Sequence, residues 1–155
     1  AAILEQRLAR LEDACAELER VLREHPGHPS ALRWLADLYE RAGEPQKSLP
    51  LLERLFAGAT EELEYITLGV RRVRALLGAG QIKKAQQSVK DLYTRTPAVI
   101  AVAEARLEVA RASQDPTELG SALEALARVS VEEPRLRSEM LVESAQAPPR
   151  RRFEG

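Results

Sequence analysis

With one cysteine, Cys15, the chain can form no intramolecular disulfide and no multi-cysteine metal site. Cys15 lies in the apolar stripe of LEDACAELERVL and reads as a buried small hydrophobe. Histidine is nearly as scarce. His25 and His28 flank the turn HPGHP with no third ligand nearby, so they read as solvated turn residues and no metal is expected. Neither sign of charge is in excess: the net charge is −1 with 30% charged residues, which gives no general drive toward nucleic acid or an anionic membrane. No run approaches the ~18 consecutive apolar residues of a membrane-spanning helix. The start, AAILE, lacks the basic segment and long apolar core of a signal peptide. It also lacks Met and begins in mid-pattern, which reads as a fragment or a processed product. The compartment stays open, with a soluble, cytoplasmic protein favoured. Glycine-rich phosphate loops, Ser/His/Asp sets and metal-ligand spacings are absent, so neither catalysis nor a cofactor is expected.

What the chain has is helical periodicity almost everywhere, with no convincing period-2 strand. Leu11, Ala14, Cys15, Leu18, Val21 and Leu22 form one stripe, stopped by Pro26, Gly27 and Pro29. Ser30 is the expected N-cap of the next helix, whose stripe is Leu32, Leu35, Ala36 and Tyr39. Gly43 suits the left-handed residue that ends it, and Pro45 the first position of the helix that follows. That helix carries Leu49, Leu52, Leu55 and Phe56. Pro50 inside it predicts a kink or a late start. Thr60 is the expected cap of a longer helix with the stripe Ile66, Gly69, Val70, Val73, Leu76 and Leu77. Further helices are expected over 81–95, over 98–112 with Thr96-Pro97 as its start, and over 118–131 after a capping-box-like Asp115-Pro116-Thr117-Glu118.

The phrase HPSALRWLADLYERAGEPQKSLPLLERLF, His28 to Phe56, returns in partial echoes along the chain. A small residue marks the start of each second helix: Ala14 to Ser48 is 34 residues, Ser48 to Ala85 is 37, and Ala85 to Ala122 is 37. Pro26, Pro97 and Pro134 stand twelve residues after Ala14, Ala85 and Ala122. Repetition of one helical hairpin means units that stack because none can bury its apolar face alone.

These residues resemble the tetratricopeptide repeat, a unit of about 34 residues with the pattern W-x2-L-G-x2-Y…A-x3-F…P. In the second unit Leu32 stands at the Trp position, Leu35 and Ala36 at the Leu-Gly pair, Tyr39 at the Tyr, Ser48 at the small Ala and Leu52 at the aromatic. The resemblance covers residues 1–134 and implies an all-α, right-handed superhelical solenoid. The expected units are about 1–28, 29–59, 60–97 and 98–134, with a capping helix at 135–147 and a Pro/Arg tail at 148–155. It also implies a non-catalytic scaffold or adaptor that binds a peptide or partner domain in a groove lined by first helices.

Charged residues expected on first helices are the candidate groove contacts. Arg33, Arg71 and Arg74 make a basic strip suited to an acidic peptide, or else a solvated face paired with Glu40, Glu64 or Glu108; Arg72 points elsewhere. The family's carboxylate clamp is not expected, because Asp37 occupies a position that wants a neutral amide. Glu104 and Glu108, four apart, suit a basic partner or pair with Arg71, Arg74 and Arg111. Trp34 faces either the preceding unit or the surface. The alternative function is self-association through Ile3, Leu4 and Leu8 or through Leu136, Met140 and Leu141, giving a homo-oligomer.

Overall fold

Proline, glycine and short capping contacts set the helix boundaries. The computed structural model describes residues 1–130 together with Val142 and Ala145, which are helical. Apart from those two, the helix expected at 135–147 and the tail at 148–155 lie outside the described residues. Among the described residues the elements are α1 (Ala2–Glu24), α2 (Pro29–Arg41), α3 (Pro45–Ala57), α4 (Glu62–Gly78), α5 (Ile82–Arg95), α6 (Ile100–Ser113) and α7 (Pro116–Val129). By packing, the chain divides into one unit of Ala1–Ala79 and a second from Gly80 onward. This is an all-α helical-repeat fold.

In the first unit α1 packs on α2, α2 on α3 and α3 on α4. The cap of α2 is His28 rather than Ser30: its Nδ1 accepts the Ala31 amide at 3.2 Å. Pro29 takes the first helical position, where its missing N–H costs nothing. His28 is therefore a capping residue and not merely a solvated one. Gly43, at φ +70°, makes the left-handed turn into α3. Pro45 opens α3, and Pro50 sits inside it without delaying its start. Pro50 lies on the exposed side, where the unpaired carbonyl one turn earlier stays close to water. Thr60 does not cap α4. The N-cap is Glu61, which makes no side-chain cap, and Glu62 and Glu64 place negative charge in the first turn.

Leu32, Leu35, Ala36 and Tyr39 of α2, Ser48, Leu49, Leu52 and Leu55 of α3, and Leu68, Val70, Val73 and Leu76 of α4 form the buried layer of this unit. α1 contributes no fully buried residue. Cys15 is only half-buried, and that burial, with the negative charge of Glu19, raises its thiol above the ordinary value.

In the second unit α5 packs on α6 and α6 on α7. Thr96 closes α5 instead of opening α6: its amide and its hydroxyl both donate to the Leu92 carbonyl, at 2.9 and 2.7 Å. α6 consequently begins at Ile100, with Val99 as N-cap. Gln114, at φ +56°, ends α6 in the left-handed region without a glycine. The Asp115 carboxylate then accepts the amides of Thr117 at 2.9 Å and Glu118 at 3.4 Å, so α7 starts at Pro116. Ala103, Leu107 and Ala110 interlock with Ala122, Leu123 and Leu126.

Leu52 is 0% exposed, so Leu52→Ala is expected to cost about 2–5 kcal/mol in denaturant unfolding. Pro50→Ala restores a backbone hydrogen bond and is expected to stabilise by about 1–2 kcal/mol in the same assay. Burial, and then a hydrogen bond donated to Glu19, raises the Tyr39 phenol above its usual value. Its contribution to stability is therefore complete below about pH 10 and lost as pH rises further. Tyr39→Phe should flatten that alkaline loss when unfolding midpoints at pH 8 and pH 11 are compared with those of the unaltered chain.

Candidate partner-binding surface

Two first-unit helices, α2 and α4, carry the cationic residues singled out by spacing. Arg33 on α2 donates to Glu64 on α4. One helical stretch further along, Arg71 on α4 reaches Glu40 on α2, with Nε 3.1 Å from Oε1 and 3.2 Å from Oε2. The partners of each pair are 31 residues apart, so α2 and α4 run parallel with a constant offset. Asp37 pairs within α2, its Oδ2 lying 3.1 Å from Arg41. The strip is thus a row of cross-helix ion pairs.

Two clefts open beside these pairs. One of about 540 Å³ is lined by Arg33, Glu61, Leu63, Glu64, Thr67, Leu68 and Arg71. Leu63 stands 76% exposed at its edge. The second, of about 280 Å³, is lined by Glu40, Pro45, Ser48, Arg71, Arg74 and Ala75. Arg71 belongs to both, and its Nη2 is buried with no hydrogen-bond acceptor among the described residues. Arg74 lies on this side, as its three-residue spacing from Arg71 predicts. Arg72 turns away: it stacks over the Phe56 ring, 5.2 Å from the centroid, and lies 3.9 Å from Glu53 on α3. Trp34 faces the surface and is 66% exposed.

Glu104 and Glu108 lie on α6 of the second unit, Glu104 exposed and Glu108 half-buried. Between them in sequence stands a residue that spacing arguments passed over. Arg106 stacks on Tyr93 of α5 at 4.6 Å, donates to Ser121 Oγ of α7 at 2.9 Å, and lies 3.8 Å from Glu118. It helps line a cleft of about 490 Å³ with Lys90, Tyr93, Asp115 and Glu118 among others. The signal in the sequence is the single cation of the stretch IAVAEARLEVA, set between Glu104 and Glu108 among apolar residues. Among the described residues, no three His, Cys, Asp or Glu side chains cluster as metal ligands would, and no helix is long and apolar enough to cross a membrane.

The family pattern of the tetratricopeptide repeat matches residues 8–69, from within α1 into α4. Among solved structures, the MamA RS-1 ArsTM double mutant shares the fold, with a TM-score of 0.65 at 16% identity over 94% of this chain and 83% of that one. No curated protein matches the sequence significantly. Repeats of this family generally mediate protein–protein interaction and are typically non-catalytic. The recurring hairpins and their small packing residues agree with the matched stretch, and together they support a tetratricopeptide-repeat family over residues 8–69.

Proposed function

We propose that the chain is a non-catalytic scaffold or adaptor that holds a peptide or partner domain against the α2–α4 face. The observation that carries this reading is the pair of clefts sharing Arg71, with exposed Leu63 beside one of them. An extended acidic peptide suits the face. Its carboxylates would take over Arg33 and Arg71 from Glu64 and Glu40, and Arg74 would add a third cation. Its apolar side chains would lie against Leu63. Arg33 is the more exposed of the two arginines, so exchanging its pair costs roughly 0–1 kcal/mol, whereas the Arg71–Glu40 pair is mostly shielded from water and is the harder one to displace. Asp37 and Arg41 would set which residues of the partner are tolerated nearby. Glu104 and Glu108 are a separate acidic contact on α6, suited to a basic side chain.

Pull-down with the unaltered chain beside Arg71→Glu/Arg74→Glu tests the reading. A partner held by the first is expected to be lost by the second, with affinity reduced at least ~10-fold. Partners held equally by both would place the interface on another surface. The double variant is expected to keep a cooperative melt, and Arg33→Ala alone is expected to change stability by less than ~1 kcal/mol.

A further inference from the structure

An offset of 71 residues relates the helices of the two units in sequence. It carries Ala14 onto Ala85, and Pro29 onto Ile100, the first residues of α2 and α6. It also carries Gly43 onto Gln114, both at positive φ. Helix α1 therefore answers to α5, and α2 to α6. An equivalent cleft opens in each unit. In the first it measures about 520 Å³ and is lined in part by Glu19, Leu22, Leu35 and Tyr39. In the second it measures about 490 Å³, and the residues at those four positions, Lys90, Tyr93, Arg106 and Ala110, all line it. Size is not the difference between the two clefts; their lining is.

The four exchanges belong together. In the first unit the Tyr39 ring is buried and its hydroxyl donates to Glu19. In the second that ring is reduced to the methyl of Ala110, and the acceptor is replaced by Lys90. Val89 and Val109 are likewise smaller than their equivalents Leu18 and Leu38. Arg106 replaces Leu35, which is 2% exposed, so a cation stands where the first unit has core. A charge in such a place is costly unless it is held. Arg106 is held by the Tyr93 ring, by Ser121 Oγ and by Glu118. The carboxylates of the cleft are committed as well: Asp115 accepts the Thr117 and Glu118 amides, and Glu118 faces Arg106. Lys90 is the charged group of the cleft whose side chain has no partner among the described residues.

We propose that the second-unit cleft binds a small aromatic carboxylate. Its ring lies over Ala110 and Val89, where the first unit has the Tyr39 ring. Its carboxylate meets Lys90, where the first unit has the Tyr39 hydroxyl meeting Glu19. The cleft falls within the range of small-molecule sites, about 300–1,000 Å³. The rest of the chain offers no equal occupant. Among the residues that follow Ser130 the one aromatic is Phe153, and Arg150, Arg151 and Arg152 before it would bring positive charge to Lys90 and Arg106.

The test is a backbone-amide NMR titration of the full chain with 2-naphthoate and, separately, with its neutral counterpart 2-naphthamide. Naphthoate is expected to shift the amides around Val89 and Ala110 and to bind at least ~10-fold tighter than the amide. Lys90→Gln changes an exposed residue, keeps the fold, and is expected to erase that preference. Ala110→Tyr restores the residue of the first unit and is expected to block both probes; should it fail to fold, Lys90→Gln still decides. Equal binding of the two probes, a preference that survives Lys90→Gln, no binding, or shifts centred on Arg33 and Arg71 overturns the proposal. Binding that appears only after residues 148–155 are removed overturns it too, because the chain's own end would then fill the cleft. The α2–α4 face takes no part in this site, so the two readings stand or fall separately.

Discussion

Packing between consecutive helices depends on one residue small enough to let two backbones approach. Ser48 in α3, Ala85 in α5 and Ala122 in α7 occupy that place, and each is fully buried. Ser48 fills it without penalty because its hydroxyl donates to the Pro45 carbonyl at 3.1 Å, leaving no unsatisfied polar atom in the contact. Close approach at that point seats the larger side chains one turn on, Leu52, Val89 and Leu126, at full burial. Gly78 shows the same constraint at a helix end. A Cβ there would lie 2.9 Å from Pro45, so the end of α4 can meet the start of α3 only without one.

Much of this was legible in the sequence because it is set locally or by recurrence. The small-residue register, the stripe of α2, Gly43, Pro45 and the Asp115 cap depend on near neighbours or on a repeat spacing. The misread boundaries have a common cause. Ser30, Thr60 and Thr96 are all good capping types, but a cap must present its oxygen to an amide that the helix leaves open. His28 reaches the Ala31 amide first, and the Thr96 hydroxyl donates backward to Leu92. First helices in the later repeats look degenerate for a different reason. α6 buries Val102, Ala103, Ala105, Leu107, Val109 and Ala110, which cover more than half of its circumference and include three alanines, so little amphipathic contrast survives for a pattern to register.

Ion pairing on the candidate surface was less legible, because it depends on the alignment of two helices rather than on spacing along one. Intrahelical spacing correctly separated Arg72 from Arg71 and Arg74. It could not choose between bare cations and paired ones. The deciding quantity is the offset of 31 residues, three short of the repeat that links Ala14 to Ser48. A lag of about one helical turn is what lets a side chain on α4 reach one on its parallel neighbour α2.

That alignment bears on what kind of recognition the face can perform. With Arg33 answered by Glu64 and Arg71 by Glu40, the strip presents alternating charge rather than a field of one sign. Such a surface adds little long-range attraction and so contributes little to the rate of encounter. On the proposed reading, discrimination comes at contact range: a partner gains only where its own charges fall in the same alternation and replace the existing pairs one for one. Arg72 stands outside this exchange, because its guanidinium is stacked on Phe56 and that ring packs on Tyr65 at 4.9 Å. Two arginines adjacent in sequence therefore serve different ends. Arg72 ties α4 to α3 through Phe56, while Arg71, about 100° further round the same helix, meets Glu40 of α2.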